Sequence, residues 1–470
     1  MDVSQKSVLA GLVRQQRFTD AAQAAELFLQ DDTADCRLRY CAAIAWLWRK
    51  EYRKAFAHFF LLLQQARAAQ GREQPAEAAF NAQAALQCGQ LAELLYGVDV
   101  PSRPYIFEQA TALALELGAQ TGDRLVMRQA ERLRQRLMIS RDGSRIAIMP
   151  DSPYVLQIEP TNCCNLQCRM CPRTHMSRKR GFISVAMLDD IFGHWRSRSV
   201  SLRLAHLEFS DISFTQRRAG EIKLFFLGEP LLHPKFHQLV LRAKQEGCIS
   251  GIQTNGLLLE RPAVRRKLLT AAPAAIGLSI DGFDADSYAV LRAGSAWSRM
   301  HAGLRSLHAE RESMGLREQV KLYISTIIPA ARPEYAQAVQ RFLAPLREFV
   351  DEIRLIPLKC HYNPEFFDEQ GSLKTYTYGH PEAGEFATEP LCREPFEKMN
   401  VLWDGTVAPC CCDIDGRMSI GTVAGGIDTL WQSRALARLQ RALIDFSVEE
   451  YPLCQACLRM REERMPALQC

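Results

Sequence analysis

Three cysteines in one short run constrain this chain more than any other feature. Cys164, Cys168 and Cys171 are spaced C-x3-C-x2-C and directly follow the apolar, strand-like residues 154–158. Three thiolates this close together can hold three irons of a four-iron cluster and leave the fourth iron open. Such a cluster would lie on a loop at a strand's C-terminal end, where barrel enzymes place their chemistry.

Two other kinds of metal site use related cysteine patterns. A structural zinc site usually pairs C-x2-C units and closes with four ligands, whereas only one such pair is local here. A plant-type two-iron site is the second alternative, because Cys163 creates a C-x4-C-x2-C spacing. A small electron carrier of that type would not need the long chain that follows. We interpret Cys164, Cys168 and Cys171 as ligands and Cys163 as a buried neighbour.

Length, charge and cysteine content exclude several classes of protein. The chain has 470 residues, which suggests about two to four domains, and 47% of them are hydrophobic. The net charge of +5 is close to balance and argues against a nucleic-acid partner. No apolar run approaches a membrane span and no signal-peptide stretch is visible, so we expect no membrane partner. The sixteen cysteines then indicate metal binding in a reducing cytoplasm.

Residues 1–140 are predicted to be α-helical, because apolar residues recur there at about 3.6-residue spacing and Pro and Gly are scarce. The run 17–21 is echoed by residues 51–55 at an offset of 34, the period of tetratricopeptide helix pairs. Ala42, Ala43 and Trp46 match the packing positions of that repeat. We interpret this part as a tetratricopeptide-like domain that offers a surface to a partner, with a plain helical bundle as the alternative.

After a linker at residues 141–152, strands alternate with amphipathic helices. Six βα units predict an α/β fold with a parallel sheet curled as a partial (β/α)6 barrel over residues 153–360. Residues 196–220 are longer than a connecting loop needs, and we interpret them as an insertion. The candidate strands are residues 154–159, 221–227, 248–253, 275–280, 320–328 and 350–358.

Residues 361–470 hold a second cysteine set and are predicted to form a small α+β domain. Residues 400–407 form a candidate β-hairpin with an Asp-Gly turn. Around it stand four cysteines that could hold a second four-iron cluster, with zinc as the alternative: Cys392, Cys410, Cys454 and Cys457. Cys411 and Cys412 directly follow Cys410, so which of these three is a ligand stays open. Cys360 and Cys470 receive no role.

The order of motifs over about residues 150–460 resembles the radical S-adenosylmethionine (SAM) superfamily. The triad fits, including the hydrophobic Met170 before its third cysteine. The resemblance implies a (β/α)6 partial barrel with a four-iron cluster on the triad. In the segment 227–230, Leu-Gly-Glu-Pro stands where the family has Gly-Gly-Glu-Pro. The family uses this segment to bind the methionyl amino group of SAM, here through Gly228, Glu229 and Pro230.

Later strand ends carry further motifs of the family. Thr-Asn-Gly at residues 254–256 should shape the pocket wall. Ser-Ile-Asp-Gly follows at residues 279–282. The resemblance implies that Ser279 lies near the SAM ribose and Arg292 near its carboxylate, for which a planar guanidinium is suited. The alternative is that both are ordinary turn and surface residues.

The C-terminal cysteines resemble the SPASM and twitch extensions of radical SAM enzymes, which hold auxiliary iron–sulfur clusters. The signature C-x9–15-G-x4-C matches at Cys392, Gly405 and Cys410. The longer SPASM pattern does not match, because no cysteine follows Cys457 until Cys470. We therefore expect one auxiliary cluster, as in the shorter twitch type.

The resemblance implies an enzyme that cleaves SAM with one electron and takes hydrogen from a substrate C–H bond through a 5′-deoxyadenosyl radical. The electron would come from a donor such as flavodoxin or ferredoxin. The short auxiliary domain favours oxidation or epimerisation of a sugar-like small molecule. The helical domain favours modification of a peptide or protein. A non-catalytic iron–sulfur scaffold is the third hypothesis.

Overall fold

The computed structural model of the protein describes most of the chain and divides it into two compact units. One unit comprises residues 1–150 and 197–218, and the other residues 151–196 and 219–470. The domain boundaries expected at residues 140, 152 and 360 stay predictions. The described residues are 8, 12, 17–31, 36–49, 52–69, 75–94, 103–141, 146–193, 195, 198–203, 213–218, 220–328, 333–357, 392 and 394–455.

Helices dominate the first unit, as the sequence predicted. They are α1 (Phe18–Asp31), α2 (Cys36–Trp48), α3 (Tyr52–Ala69), α4 (Pro75–Leu94), α5 (Arg103–Thr121) and α6 (Arg124–Arg134). Each packs mainly on its neighbours in chain order, as stacked helix pairs do. The packing positions Ala42, Ala43 and Trp46 are buried, and so is Phe59, which aligns with Ala25 at the 34-residue offset. The tetratricopeptide assignment itself stays a prediction.

Two antiparallel strand pairs belong to the same unit as these helices. β1 (Leu137–Ile139) and β2 (Ile146–Ile148) pair antiparallel, so the stretch expected to be plain linker contains a strand. The assignment of residues 141–152 as a linker between domains stays a prediction. The expected insertion contains a second antiparallel pair, β4 (Arg198–Arg203) and β5 (Ser213–Arg218).

The second unit is built on one sheet with six parallel strands. They are β3 (Val155–Ile158), β6 (Glu221–Lys223), β7 (Ile249–Thr254), β8 (Ala275–Ser279), β9 (Lys321–Ile328) and β10 (Glu352–Pro357). They lie side by side in chain order, and every neighbouring pair is parallel. Strand interiors such as Leu156, Ile222, Ile252 and Ile276 are completely buried, as expected where both faces of a sheet are covered. The predicted (β/α)6 order is confirmed.

The helices between these strands also follow the predicted pattern. They are α7 (Val185–Gly193), α8 (Phe236–Gln245), α9 (Pro262–Ala271), α10 (Ala285–Leu291), α11 (Trp297–Ser313) and α12 (Pro333–Leu343). α10 begins with a capping box, in which Asp284 and Ser287 satisfy each other's backbone N–H groups. β6 is shorter than the predicted 221–227, because the chain leaves the sheet before Gly228.

The C-terminal strands join the barrel sheet. β11 (Lys398–Val401) lies parallel to β3, and β12 (Thr406–Ala408) and β13 (Gly421–Thr422) continue the sheet antiparallel. We expected a hairpin within a domain of its own. The hairpin is present with Gly405 at φ +86°, but it extends the existing sheet because the open edge of β3 offers free backbone groups.

Three helices complete the C-terminal part, namely α13 (Glu394–Glu397), α14 (Ile427–Trp431) and α15 (Arg434–Ile444). The Ser433 side chain caps α15 by accepting a hydrogen bond from the backbone N–H of Leu436. The predicted ligand Cys457 lies outside the described residues, as do Cys360 and Cys470, which received no role. Within the described parts of the chain, no helix combines the length and apolarity needed to cross a membrane.

Candidate active site

Cys164, Cys168 and Cys171 lie on the loop that leaves β3 and ends in a 3₁₀ turn, Pro172–His175. All three side chains are partly buried. The negative charge of one thiolate raises the pKa of another cysteine in the group, which shows that the three lie close together. Burial raises the pKa of each thiol, so binding of a metal must displace their protons. The loop therefore carries three thiol donors at the C-terminal end of the first barrel strand.

The cysteine loop is held in place by bonds that sequence reasoning missed. The backbone N–H of Arg169 donates to the carbonyl of Leu291 at 3.1 Å, at the end of α10. The buried Arg173 donates from Nη2 to the carbonyl of Leu166 at 2.7 Å. Its positive charge also opposes the effect of burial on the pKa of Cys171. In the sequence, Arg173 is visible only as an arginine two positions after Cys171. Its role in holding the loop could not be predicted until the fold showed that it is buried.

Gly228 contacts the cysteine loop through its backbone. A Cβ atom there would lie 2.1 Å from the carbonyl oxygen of Thr161 and 2.6 Å from that of Cys163. The next N–H, that of Glu229, donates to the same Cys163 carbonyl at 2.8 Å. Pro230 then begins a 3₁₀ turn. The predicted Gly-Glu-Pro segment thus lies directly against the residues that precede the triad.

The carboxylate of Glu229 is buried, and both of its oxygens accept hydrogen bonds. One oxygen accepts from the hydroxyl of Thr254 at 2.6 Å and from the N–H of Leu231 at 3.1 Å. The other oxygen accepts from the N–H of Asn255 at 2.7 Å. Burial raises the pKa of Glu229, and these donors oppose that rise. Glu229 therefore ties the end of β6 to the end of β7.

Asn255 extends this network to the cysteines. Its Nδ2 donates to the side-chain oxygen of Asn165 at 2.8 Å and lies 4.0 Å from the sulfur of Cys164. Its own side-chain oxygen accepts from the N–H of Leu257 at 3.0 Å. The Thr-Asn-Gly segment, which was predicted to shape the pocket wall, therefore contacts the cysteine loop.

Arg292 is buried beside the triad and paired with an acid. Nε and Nη2 of Arg292 lie 2.8 and 2.6 Å from one oxygen of Asp281, whose other oxygen accepts from the N–H of Ile327 at 2.8 Å. Burial opposes the charge of Arg292, yet Asp281 and Cys168 together raise its pKa. The hydroxyl of Ser279 accepts from Gln253 at 2.9 Å. Arg292 is thus not an ordinary surface residue; the SAM contacts of Ser279 and Arg292 stay predictions.

The C-terminal cysteines converge at one point. The sulfurs of Cys410, Cys411 and Cys412 all lie within 4.8 Å of one another, just after β12. Hydrogen bonds with the other two thiols, together with burial, raise the pKa of Cys410 well above its ordinary value. Asp413, which follows them, is buried and accepts from the N–H groups of Arg417 and Met418 at 2.8 and 2.7 Å, which shapes the turn.

The other predicted C-terminal ligands are not brought into the group around Cys410 among the described residues. Cys392 and Cys454 are both partly buried. Among the described residues, the group of three ligand atoms within 4.8 Å of one another does not include them. Cys457 lies outside the described residues. Ligation by Cys392, Cys410, Cys454 and Cys457 therefore stays a prediction.

Both cysteine groups fit iron–sulfur clusters by the chemistry of their donors. Thiolates are the usual ligands of four-iron clusters, and each group supplies three thiols. The first group also has two nearby cations, Arg173 and Arg292, that offset thiolate charge.

Two family models match this chain. Residues 158–314 match the radical SAM superfamily. Residues 392–458 match SPASM, an iron–sulfur cluster-binding domain. The SPASM match covers the residues for which we expected the shorter twitch type. The radical SAM domain binds a four-iron cluster and SAM, and the SPASM domain is an auxiliary iron–sulfur domain.

Several known proteins are similar to this chain. The tungsten-containing aldehyde ferredoxin oxidoreductase cofactor-modifying protein of Pyrococcus furiosus is 24% identical over 283 residues, which are 54% of this chain and 70% of the relative. The structure of BtrN in complex with AdoMet and 2-DOIA is 16% identical and covers 64% of this chain and 91% of BtrN, with a TM-score of 0.38. The structure of Streptococcus suis SuiB bound to precursor peptide SuiA is 12% identical and covers 87% of each chain, with a TM-score of 0.43. The two matches, in the order that the motifs predicted, show a radical SAM domain at residues 158–314 followed by a SPASM iron–sulfur domain at residues 392–458.

Proposed function

We propose that this enzyme reductively cleaves SAM to a 5′-deoxyadenosyl radical and takes a hydrogen atom from a substrate C–H bond. The observation that carries the proposal is the loop after β3, where three thiols stand beside the Gly-Glu-Pro segment and a buried arginine. When bound, a four-iron cluster supplies the electron transfer that SAM cleavage requires. Because the ligands are reduced cysteines, the proposal places the protein in the cytoplasm. An electron donor such as flavodoxin or ferredoxin would reduce the cluster.

The chain's own residues would hold and orient the reactants. Cys164, Cys168 and Cys171 would hold the cluster. Both oxygens of Glu229 are engaged by other donors, and the carbonyls of Glu229 and Pro230 accept from the N–H groups of Leu232 and His233 at 3.0 Å. Among the described residues no donor contacts the Gly228 carbonyl, which is therefore the better acceptor for the methionyl ammonium. A guanidinium has five N–H donors, and Asp281 engages those on Nε and Nη2 of Arg292, which leaves donors for a carboxylate.

Release of 5′-deoxyadenosine tests the enzyme assignment. We expect anaerobically reconstituted protein to produce it from SAM when dithionite supplies electrons, because the three thiols leave one iron open to SAM. Liquid chromatography with mass spectrometry measures the product, and the Cys168→Ala variant is the control. A wild-type yield no higher than that of the control would favour the non-catalytic scaffold instead.

Iron content tests the two-cluster proposal. We expect roughly eight irons per chain after reconstitution, four for each cluster. Changing Cys164, Cys168 and Cys171 together to Ala should leave roughly four irons, held by the C-terminal cysteines. Metal analysis measures both. Full iron retention in the triple variant would contradict the assignment of the triad, and zinc in place of iron in that variant would contradict the auxiliary cluster alone. About twelve irons in the wild type would indicate two auxiliary clusters.

Modification of a peptide or protein is the substrate class that we propose first. The small-molecule hypothesis depended on the short cysteine set of the auxiliary domain, and that domain matches the SPASM model at residues 392–458. The helical unit supplies stacked helices of the kind that bind peptides. Co-expression with a short peptide encoded beside the gene tests this, since a mass change in that peptide should occur with the wild type and not with Cys164→Ala.

A small-molecule substrate is the second candidate, and one observation favours it. The relative from Pyrococcus furiosus is named as a cofactor-modifying protein. Oxidation or epimerisation of a sugar-like compound belongs to this class. Deuterium transfer from a labelled small molecule into 5′-deoxyadenosine, without any peptide present, would support it over the peptide proposal.

A further inference from the structure

Residues 177–181, here called the 177–181 segment, follow the cysteine loop and are bonded to the barrel. Nη1 and Nη2 of Arg178 each donate to one oxygen of Glu159 at 2.9 Å, immediately after β3. Asn162 donates from Nδ2 to the carbonyl of Lys179 at 2.9 Å. The hydroxyl of Thr161 donates to the carbonyl of Gly181 at 2.6 Å. This side of the segment is therefore fixed to the residues that lead into the triad.

The same segment is also bonded to the C-terminal part. Nε of Arg178 donates to the carbonyl of Ile414 at 2.6 Å. The N–H of Ser177 donates to a carboxylate oxygen of Asp415 at 2.8 Å. Trp403 donates from its ring N–H to the carbonyl of Lys179 at 3.1 Å. One short segment thus bonds to both cysteine-bearing parts of the second unit.

Arg178 and Glu159 form the buried centre of these contacts. The Glu159 side chain is completely buried and that of Arg178 is 9% exposed. Glu159 also accepts from the backbone N–H of Trp403 at 3.1 Å. Burial raises the pKa of Glu159, and Arg178 opposes that rise. A buried pair of this kind holds its partners in fixed positions, because separating them leaves an uncompensated charge.

The position of Arg178 in the chain gives these contacts a functional meaning. Arg178 stands seven residues after Cys171, and its partner Ile414 stands two residues after Cys412. A planar guanidinium can donate in three directions at once, to both oxygens of Glu159 and to Ile414, which a lysine ammonium on a flexible stem cannot reproduce. A single side chain therefore reaches from the barrel loop to the C-terminal cysteine run.

We propose that Arg178 is a positioning residue that fixes the segment carrying Cys410, Cys411 and Cys412 against the barrel's cysteine loop. The C-terminal metal site then depends on a residue of the radical SAM domain as well as on its own ligands. The inference rests on the iron–sulfur assignment of the two cysteine sets and not on SAM cleavage or on the substrate. It therefore succeeds or fails independently of the proposed reaction.

Arg178→Lys in the full-length protein tests this, with Arg180→Lys as the matched control because Arg180 is exposed. The first readout is amide hydrogen exchange in metal-free protein. Arg178→Lys should speed exchange in peptides covering residues 403–416 by about tenfold, since local opening follows loss of the bonds that hold a segment. Peptides from the parallel strands should exchange at the wild-type rate. Arg180→Lys should leave both regions unchanged.

The second readout is iron retention against a chelator, measured in the background that lacks Cys164, Cys168 and Cys171. Arg178→Lys should weaken iron binding at the C-terminal site by about 10- to 100-fold, the range seen when residues that orient ligands are lost. Wild-type exchange and wild-type iron retention in Arg178→Lys would overturn the proposal. Faster exchange spread evenly over the whole second unit, with a lowered melting temperature, would also overturn it, because Arg178 would then serve general stability only.

Discussion

Cys164→Ala is expected to abolish SAM cleavage, whereas Cys163→Ala should keep most of it. The two cysteines are adjacent, but only Cys164 gives the C-x3-C-x2-C spacing. The sulfur of Cys164 already accepts the N–H of Leu166 at 3.4 Å, so it points into the loop that would surround a cluster. We expect Cys164→Ala to lower the rate of 5′-deoxyadenosine formation by at least about 100-fold, beyond the usual cost of losing a residue that only orients a ligand.

Cys163 is a suitable control because its hydrogen bonds are made by its backbone N–H and carbonyl groups. Its N–H donates to the hydroxyl of Thr161 at 3.0 Å, and its carbonyl accepts from Glu229. Replacement of its thiol by a methyl group leaves both bonds intact. Iron content and circular dichroism should be measured beside the rate for each variant. If Cys163→Ala and Cys164→Ala both fold and lose activity equally, either Cys163 is a ligand, as the plant-type spacing would require, or the site needs both thiols.

The sequence predicted the barrel strands and the cysteine loop because their signals are local. Each strand is a short apolar run, and the motif at residues 254–256 stands directly at the end of β7, while that at 227–230 follows the end of β6 by a few residues. Elementary rules for parallel sheets then place those ends at one edge. The start of β9 was predicted within one residue, at Val320 against Lys321.

What the sequence did not predict are contacts between distant parts of the chain. β11 pairs with β3 although Lys398 and Val155 are far apart in sequence, and nothing in the apolar pattern of either strand names its partner. The hairpin at residues 400–407 was therefore predicted, but the pairing of its first strand with β3 was not. Arg173 and Arg178 were missed for a related reason, since a charged residue acquires its role from burial beside a partner that only the fold supplies.

Three buried carboxylates show how this fold arranges its mouth. Glu159, Glu229 and Asp281 each follow a parallel strand and are almost inaccessible. Arg178 compensates the first and Arg292 the last, while Glu229 is satisfied by neutral donors. A buried charge is tolerated only where partners surround it, so each carboxylate fixes the loops that meet it. Loops fixed in this way can hold cysteines at defined positions without a regular secondary structure of their own.

Gly228→Ala is expected to disrupt the triad site although it changes no ligand. The new methyl group would lie 2.1 Å from the carbonyl oxygen of Thr161, a backbone atom that cannot turn away as a flexible side chain could. Either the Gly-Glu-Pro segment or the start of the cysteine loop must move. We expect a destabilisation of about 1–3 kcal/mol or more, as for other overpacking substitutions. The triad should lose most of its iron, and SAM cleavage should fall with it.

Gly251→Ala is the matched control, because a methyl group at Gly251 in β7 would meet no atom of the described residues within 4 Å, its chain neighbours aside. That variant should keep its iron and its activity, and it should be as stable as the wild type or slightly more stable, since alanine restricts the unfolded chain. Thermal unfolding, iron content and 5′-deoxyadenosine formation measure all three properties in both variants. If Gly228→Ala retains full iron and the wild-type rate, the close approach between the Gly-Glu-Pro segment and the cysteine loop is not needed for the site. If Gly228→Ala retains iron but loses SAM cleavage, displacement of the Gly-Glu-Pro segment alone accounts for the loss. The segment then acts on SAM itself, as the proposed backbone acceptor requires.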